Sequence, residues 1–173
     1  MDILISPVTA ADVEAIAALA RHVWQHTYPE IISQEQIDFM LDQRYRPQLV
    51  RGELRSAGVW WDQITVDGRL AGFVSCLLTA TPGEIKLDKL YVDPQRQRLG
   101  LGRRLVDHVV ARALAAGCET LILAVNKHNA DAIAAYRKQG FAVRESVCVD
   151  IGGGFVMDDF IMARSLPSPV AGS

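Results

Sequence analysis

At 173 residues and a formal net charge of −2, the chain can bury one sizeable core. It is too nearly neutral to offer the basic surface that nucleic acid or an anionic membrane requires. Half of it is hydrophobic and 22% is charged, as in an ordinary globular domain. No apolar run reaches the ~18 residues of a membrane span, and no charged-then-apolar leader opens the sequence. Cys76, Cys118 and Cys148 are widely spaced with no C-x-x-C pair, so they read as reduced, half-buried core thiols of a cytoplasmic protein.

In chain order, Ile3 and Ile5 alternate in a short first strand over residues 1–7. Thr9 is placed to cap a helix with Asp12 in its first turn and Val13, Ile16, Ala17, Ala20, Val23 and Trp24 on its apolar face; Tyr28-Pro29 stops it. Ser33 to Gln36 has S-x-x-Q capping-box spacing, so a second helix carries Ile37, Met40 and Leu41. Residues 43–57 are charged and less periodic, a third short helix ending near Gly58. Strands over 59–66 and 70–80 flank Asp67-Gly68, a strong hairpin signal. Trp60 and Trp61 point to opposite faces of the first of these, so one of them should be exposed. After Thr81-Pro82-Gly83, a strand over 84–92 ends at Asp93-Pro94, because proline brings no N–H to the ladder.

A long helix follows, with Leu101, Leu105, Val106, Val109, Val110, Ala113 and Leu114 on one stripe and Gly117 as its stop. The apolar run at 120–125 is a central strand, 129–139 is helical up to Gly140, and Phe141, Val143, Val147 and Val149 alternate as a strand. Gly152 to Gly154 turn the chain into a last strand over 155–163, and 165–173, rich in Pro, Ser and Gly, reads as a flexible tail after a domain of residues 1–164. One α+β domain around a mixed sheet accounts for this order.

Between the 84–92 strand and the long helix lies Gln97-Arg98-Leu99-Gly100-Leu101-Gly102. A glycine-containing turn that feeds a helix gathers free backbone N–H groups where the helix dipole also favours negative charge, so it suits a phosphate. It is not a dinucleotide fingerprint, because position 105 is leucine where the third glycine belongs. Nor is it a P-loop, because Gly102 is followed by Arg103-Arg104. The pattern is Q-x-x-G-x-G directly after a strand ending Val-Asp-Pro. A second pattern, N-x-x-A-x-x-x-Y-x-x-x-G-F, runs from Asn129 through Ala132 and Tyr136 to Gly140-Phe141. If 129–139 is one helix, Asn129 and Tyr136 lie two turns apart on one face.

Both patterns, at this separation, resemble the GNAT superfamily of acetyl-CoA-dependent N-acetyltransferases, and the order of elements resembles its fold along nearly the whole chain. The glycine-rich hairpin from Ile151 to Phe160 is similar to that of a bacterial polyamine or amino-acid acetyltransferase-like branch. The resemblance implies a single-domain fold whose mixed, mostly antiparallel sheet of about seven strands is flanked by helices and splayed between its central strands. It implies acetyl-CoA as acyl donor, with the backbone of Leu90, Tyr91 and Val92 on the pantetheine arm and Gln97, Arg98, Leu99, Gly100, Leu101, Gly102 and Arg103 on the pyrophosphate. Asn129 and Tyr136 complete the cofactor side. Tyr136 matches the family's proton donor to the departing thiolate, so the expected reaction is direct attack of a primary amine on the thioester.

The base is the departure. Where many relatives carry Glu, six residues before the valine of Val-Asp-Pro, this chain has Lys86; Asp88 and Glu84 share its strand face and are the substitutes, beside a solvated-strand reading of each. Trp24 and Tyr28, four apart on the first helix, and Asp158 and Asp159 on the last strand are the acceptor-pocket residues, with Glu30, Glu35 and Asp38 adding acidity near the second helix; a core role for Trp24 stands equally. These carboxylates favour a cationic amine, small-molecule or peptide, over an anionic one. His22 and His26 are four apart but have no third ligand nearby, so no metal is expected. A homodimer is a candidate assembly. The other readings are a catalytically weak acyl-CoA-binding module or sensor, and transfer of a longer acyl group.

Overall fold

The computed structural model describes residues 1–167. Its elements are β1 (Ile3–Pro7), α1 (Val13–Thr27), α2 (Gln34–Tyr45), α3 (Pro47–Leu54), β2 (Val59–Val66), β3 (Arg69–Leu78), β4 (Glu84–Val92), α4 (Leu101–Ala115), β5 (Thr120–Asn126), α5 (Ala130–Lys138), β6 (Ala142–Gly152) and β7 (Phe155–Ser165). The strands form one seven-stranded sheet in the order β1-β2-β3-β4-β5-β7-β6. β4 and β5 run parallel, whereas β1 with β2, β5 with β7 and β6 with β7 run antiparallel. This is the mixed α+β sheet expected from the sequence. The chain forms two compact units: Met1–Cys76 with Lys89–Leu105, and Leu77–Asp88 with the chain from Val106 onward.

In the first unit, α1 packs on α2 and α3, and α3 on β2. The start of α1 is tighter than its sequence suggests. Ala10–Asp12 form a 3-10 turn, and Asp12 folds back so that its Oδ2 accepts from both the backbone N–H and the hydroxyl of Thr9, each at 2.8 Å. Gln63 of β2 donates to the same oxygen at 2.9 Å, which ties the helix entry to the sheet. Ser33 caps α2 as its spacing predicts, accepting from the Gln36 N–H at 3.1 Å. Asp67 and Gly68, at φ 51° and 80°, are both left-handed, as a two-residue hairpin of this hand demands.

The core of this unit is aromatic. The Trp24 ring lies 4.3 Å from Tyr28, 6.3 Å from Tyr45 and 6.1 Å from Tyr91, and Phe73 lies 5.6 Å from Tyr91 and 5.8 Å, stacked, from Trp61. Trp61 is buried and Trp60 half-buried, so neither ring is fully presented to solvent as the alternation predicts. Lys89 is inside this cluster, 5% exposed, its Nζ over the rings of Trp61 at 5.2 Å and Tyr45 at 5.9 Å and 4.0 Å from Glu53. A buried ammonium needs a counter-charge and polarisable neighbours, and Glu53 and the π faces are among those it has.

In the second unit, β5 is interior on both faces except at Ala124, and its register with β4 covers Glu84–Leu87 against Thr120–Leu123. Gly117 is left-handed at φ 76°, two residues past the end of α4. Three consecutive left-handed glycines, 152 to 154, reverse the chain between β6 and β7. Several details differ from the sequence reading, among them the end of β3, which stops at Leu78. Phe141 precedes β6, as a buried anchor against α5 instead of a strand residue. Cys148 is exposed on β6 and not in the core, while Cys76 and Cys118 are core thiols, buried and not merely half-buried. β7 runs on through Ser165, and Leu166 is buried with its N–H on the Glu119 carbonyl at 2.8 Å; of the tail, residues 168–173 lie outside the described residues.

The Asp12 carboxyl is held below its ordinary value of 3.8 by the Thr9 backbone N–H first and the Thr9 hydroxyl second, against partial burial, with Gln63 adding to the lowering. A depressed folded-state pKa means stabilisation that is present above the ordinary value and is lost as pH falls through the folded one. Asp12→Ala should therefore cost about 1 kcal/mol at pH 7. Urea titrations at falling pH should show the gap to the parent protein closing below the ordinary value; a gap independent of pH would locate the effect elsewhere.

Candidate functional site

The first unit builds a turn at the end of β4. The Asp93 N–H reaches the Ala71 carbonyl at 2.8 Å, the last anchor on β3, and Pro94 opens a 3-10 turn over Pro94–Arg96. Asp93 Oδ1 accepts from the Gln95 N–H at 3.0 Å and lies 3.8 Å from Nε2 of His22. Gln97 is extended, Arg98 is left-handed at φ 72°, Gly100 is left-handed at φ 74°, and the Arg104 N–H closes the first turn of α4 onto the Gly100 carbonyl. The N–H groups of Leu101, Gly102 and Arg103 are thus first-turn donors with no intrahelical partner. Arg98, Arg103 and Arg104 are exposed around them, with Arg96 partly so. Left-handed residues alternating with ordinary ones curl successive amides toward one point, which is the backbone form of an anion cradle.

The two glycines differ in why they are needed. A Cβ built on Gly100 meets nothing within 4 Å, so backbone sign alone demands glycine there. A Cβ on Gly102 would make ordinary contact with Leu90 Cδ2 at 3.9 Å and Val92 Cγ2 at 4.0 Å. Arg98 in the left-handed region is a backbone strain that a non-glycine residue adopts only where its surroundings impose it. The sequence carried no sign of it.

Trp24, Tyr28, Leu90, Tyr91 and Val92 belong to the same unit as this turn, and the Trp24–Tyr91 contact joins the aromatic pair to β4. Burial pushes the hydroxyls of Tyr45 and Tyr91 well above the ordinary tyrosine value. Both phenols stay protonated near neutral pH, so neither can act as a base.

Of the remaining sequence-derived residues, Glu30, Glu35 and Asp38 belong to the first unit, and Glu84, Asp88, Asn129, Tyr136, Asp158 and Asp159 to the second. Asn129 does not share a helix face with Tyr136: at φ −85° and ψ 72° it is the non-helical cap of α5, its Oδ1 accepting from the Ala132 N–H at 3.4 Å. Asparagine competes well for that role and poorly for a helix interior, which is why the helix starts one residue later than the pattern implies. Tyr136 is half-buried on α5, its ring edge-on to Phe141 at 5.6 Å. Gly140 is left-handed at φ 90°, and the Phe141 N–H returns to the Tyr136 carbonyl at 3.1 Å, so the Gly-Phe pair is the helix stop that packs back on Tyr136.

On β4, Glu84 accepts from the Thr79 hydroxyl at 2.8 Å and from Arg144 at 3.1 Å, and Asp88 lies 3.7 Å from Lys86, on the face they share. Asp158 is bound by Lys127 at 2.6 Å, and Asp159 is buried at 8% exposure. Among the described residues, no group of three or more His, Cys, Asp or Glu could hold a metal ion, and no helix is long and apolar enough to cross a membrane.

A model of the acetyltransferase (GNAT) family matches residues 14–141. The chain belongs to that family. Like it is the spermidine N(1)-acetyltransferase of Thermoplasma acidophilum, 25% identical over 162 residues that cover 91% of this chain and 97% of the relative. The [ribosomal protein bS18]-alanine N-acetyltransferase of Escherichia coli is 39% identical over 79 residues, 46% of this chain and 52% of that protein; the chain thus spans about half the length of this relative. The crystal structure of the PaiA N-acetyltransferase of Thermoplasma acidophilum in complex with coenzyme A superposes with a TM-score of 0.82 at 25% identity, covering 95% of this chain and 99% of that one.

One residue of this GNAT chain escaped sequence reasoning although a signal for it existed. Gly72 sits mid-strand in β3, and a Cβ there would stand 2.7 Å from the Tyr91 carbonyl oxygen, 3.1 Å from Ile64 Cγ2 and 3.4 Å from Val92 Cα. An isolated glycine in a strand marks this kind of close backbone approach. Gly72→Ala should shift β4 where the family resemblance puts the pantetheine arm. Calorimetry should find CoA bound at least ~10-fold more weakly, an effect of about 1.4 kcal/mol, with the fold retained. Unchanged affinity would separate the path of β4 from cofactor binding.

Proposed function

We propose that this chain transfers an acetyl group from acetyl-CoA to the primary amine of a small cationic acceptor. The observation that carries the reading is the turn in which left-handed Arg98 and Gly100 deliver β4 into the N-terminus of α4, with four arginines over residues 96–104. The first-turn amides and these guanidiniums fit a pyrophosphate. The backbone of Leu90 to Val92 would hold the pantetheine arm. Acetyl-CoA supplies the activated thioester. The solved structure at TM-score 0.82 is of a CoA complex, which supports the same assignment.

The chain's own residues then have two proton problems. Tyr136 is the proposed acid for the leaving sulfur. A phenol near pKa 10 protonating a thiolate near 8.5 is uphill by about 2 kcal/mol, so Tyr136 must be held in place, as its packing on Phe141 would do. The amine is the larger cost, since an ammonium near pKa 10.4 needs about 4.6 kcal/mol to lose its proton at pH 7. With Lys86 at the usual glutamate position, Asp88 is the favoured base. It lies four residues nearer than Glu84 to the cofactor-holding end of β4. The acceptor class rests on Trp24, Tyr28, Asp158 and Asp159 and on likeness to a spermidine acetyltransferase, although Asp158 gives part of its charge to Lys127. A cytoplasmic location and a homodimer belong to the same proposal. Lys86 also keeps a second reading in view, a CoA-binding module of weak catalytic power.

Thiol release from acetyl-CoA, screened over spermidine, lysine and glutamate, should be fastest with spermidine and should slow as salt screens the acceptor charge. Turnover of glutamate as good as that of spermidine would overturn the cationic class, and CoA binding without turnover on any amine would select the module. Tyr136→Phe should lower the maximal rate by ~10² to 10⁴ while CoA affinity holds. A maximal rate that survives would remove Tyr136 as the acid.

A further inference from the structure

We propose that β6 is a self-pairing edge, and that two copies of the chain join antiparallel along it about a two-fold axis at Cys148. The inference rests on the proposed homodimer and names its interface. β6 is the end strand of the sheet, pairs with β7 on its inner side, and is 11 residues long with almost every residue exposed on both faces. Long, accessible edges are templates for another strand unless charge, proline or covering segments blunt them. Here the blunting is confined to the ends. Bulges interrupt the register at Arg144 and at Ile151, and charge falls on Arg144, Glu145 and Asp150. Between them, Ser146-Val147-Cys148-Val149 is regular, free of charge and free of proline, with Val149 51% exposed. The opposite edge, β1, has only five residues and ends in Pro7.

Self-complementarity picks the partner and the register. A two-fold axis normal to the sheet sets residues of the same face opposite one another, so the two positions in each pair must differ by an even number. Centred on Cys148, the pairing sets Val147 against Val149 twice on one face. On the other face it sets Ser146 against Asp150 twice, with Cys148 against its own copy at the axis. Apolar meets apolar, a hydroxyl meets a carboxylate, and no like charges oppose. Centred one face-repeat further along, on Asp150, it would stack two carboxylates. The Asp150 Oδ1 already accepts from the Gly152 N–H at 2.8 Å, which leaves its second oxygen for a serine hydroxyl.

Directly opposed residues of an antiparallel pair have Cα atoms ~4.5 to 5.5 Å apart, within the span of a disulfide. That supplies the experiment. The full chain should sediment as a dimer at micromolar concentration, and copper–phenanthroline should convert it to a covalent dimer on non-reducing gels. Cys76 and Cys118 are buried, and burial raises the Cys118 thiol, so the cross-link reports Cys148. Cys148→Ser should remain dimeric but lose the cross-link. Val149→Lys, with unchanged circular dichroism, should raise the dimer dissociation constant at least ~10-fold. A monomer at ~100 μM overturns both the homodimer and this interface. A dimer that resists Val149→Lys and gives no Cys148 cross-link overturns the interface and leaves the homodimer standing.

Discussion

Much of the first unit depends on how closely β3 lets β4 approach at one point. The Tyr91 carbonyl comes so near Gly72 that no side chain fits between them, and that contact sets the path of Leu90 to Val92. Just beyond it, Asp93 makes the last bond to β3 and Pro94 ends the strand, so the chain leaves the sheet at a defined place and angle. The turn that follows then needs two residues of left-handed sign before α4 can begin. Glycine meets one of these demands and Arg98 the other, at a cost in backbone strain of the order of 1 kcal/mol or more.

The same strand carries opposite duties on its two faces. Leu90 and Val92 lie beneath Gly102 of α4, whereas Lys89 and Tyr91 enter the aromatic cluster of α1, α2, β2 and β3. A buried lysine beside the proposed cofactor strand would be a poor neighbour if left uncompensated. Glu53 is fixed for the purpose, since its Oε2 accepts from the Trp61 indole N–H at 3.0 Å while facing Lys89. Charge inside this unit is therefore used to hold the sheet and helices in register, separately from any charge offered to a substrate.

Most of the fold was legible because its boundaries are written in local chemistry. Asp67-Gly68 needs left-handed backbone, Ser33 supplies a cap oxygen, and Asp93-Pro94 removes a donor; each fixes an element within a residue or two of where it lies. What was not legible depends on contacts between distant segments. The exposure of Cys148 follows from β6 taking the edge, which strand order decides and alternation cannot. The half-burial of Trp60 and the inward course of Lys89 are decided by packing partners far along the chain. In the site, the phosphate turn was readable as glycines after a strand stop, and the left-handed Arg98 was not, since arginine carries no preference for that backbone. The Asn129–Tyr136 pattern was readable as a motif, yet its geometry depended on whether asparagine would enter the helix or cap it.

The aromatic cluster also gives the molecule a built-in optical reporter. Of its three tryptophans, Trp24 and Trp61 are both buried among the rings that surround Tyr91, within one unit that also contains the phosphate turn. Indole emission is sensitive to nearby charge and to small changes in ring packing, and here Lys89 stands over Trp61 at 5.2 Å. Any ligand that draws β4 tighter or looser moves Tyr91 and Lys89 together, because they lie on one face of one strand. Occupancy of the strand is in that way written into the protein's own fluorescence, without a label and without turnover.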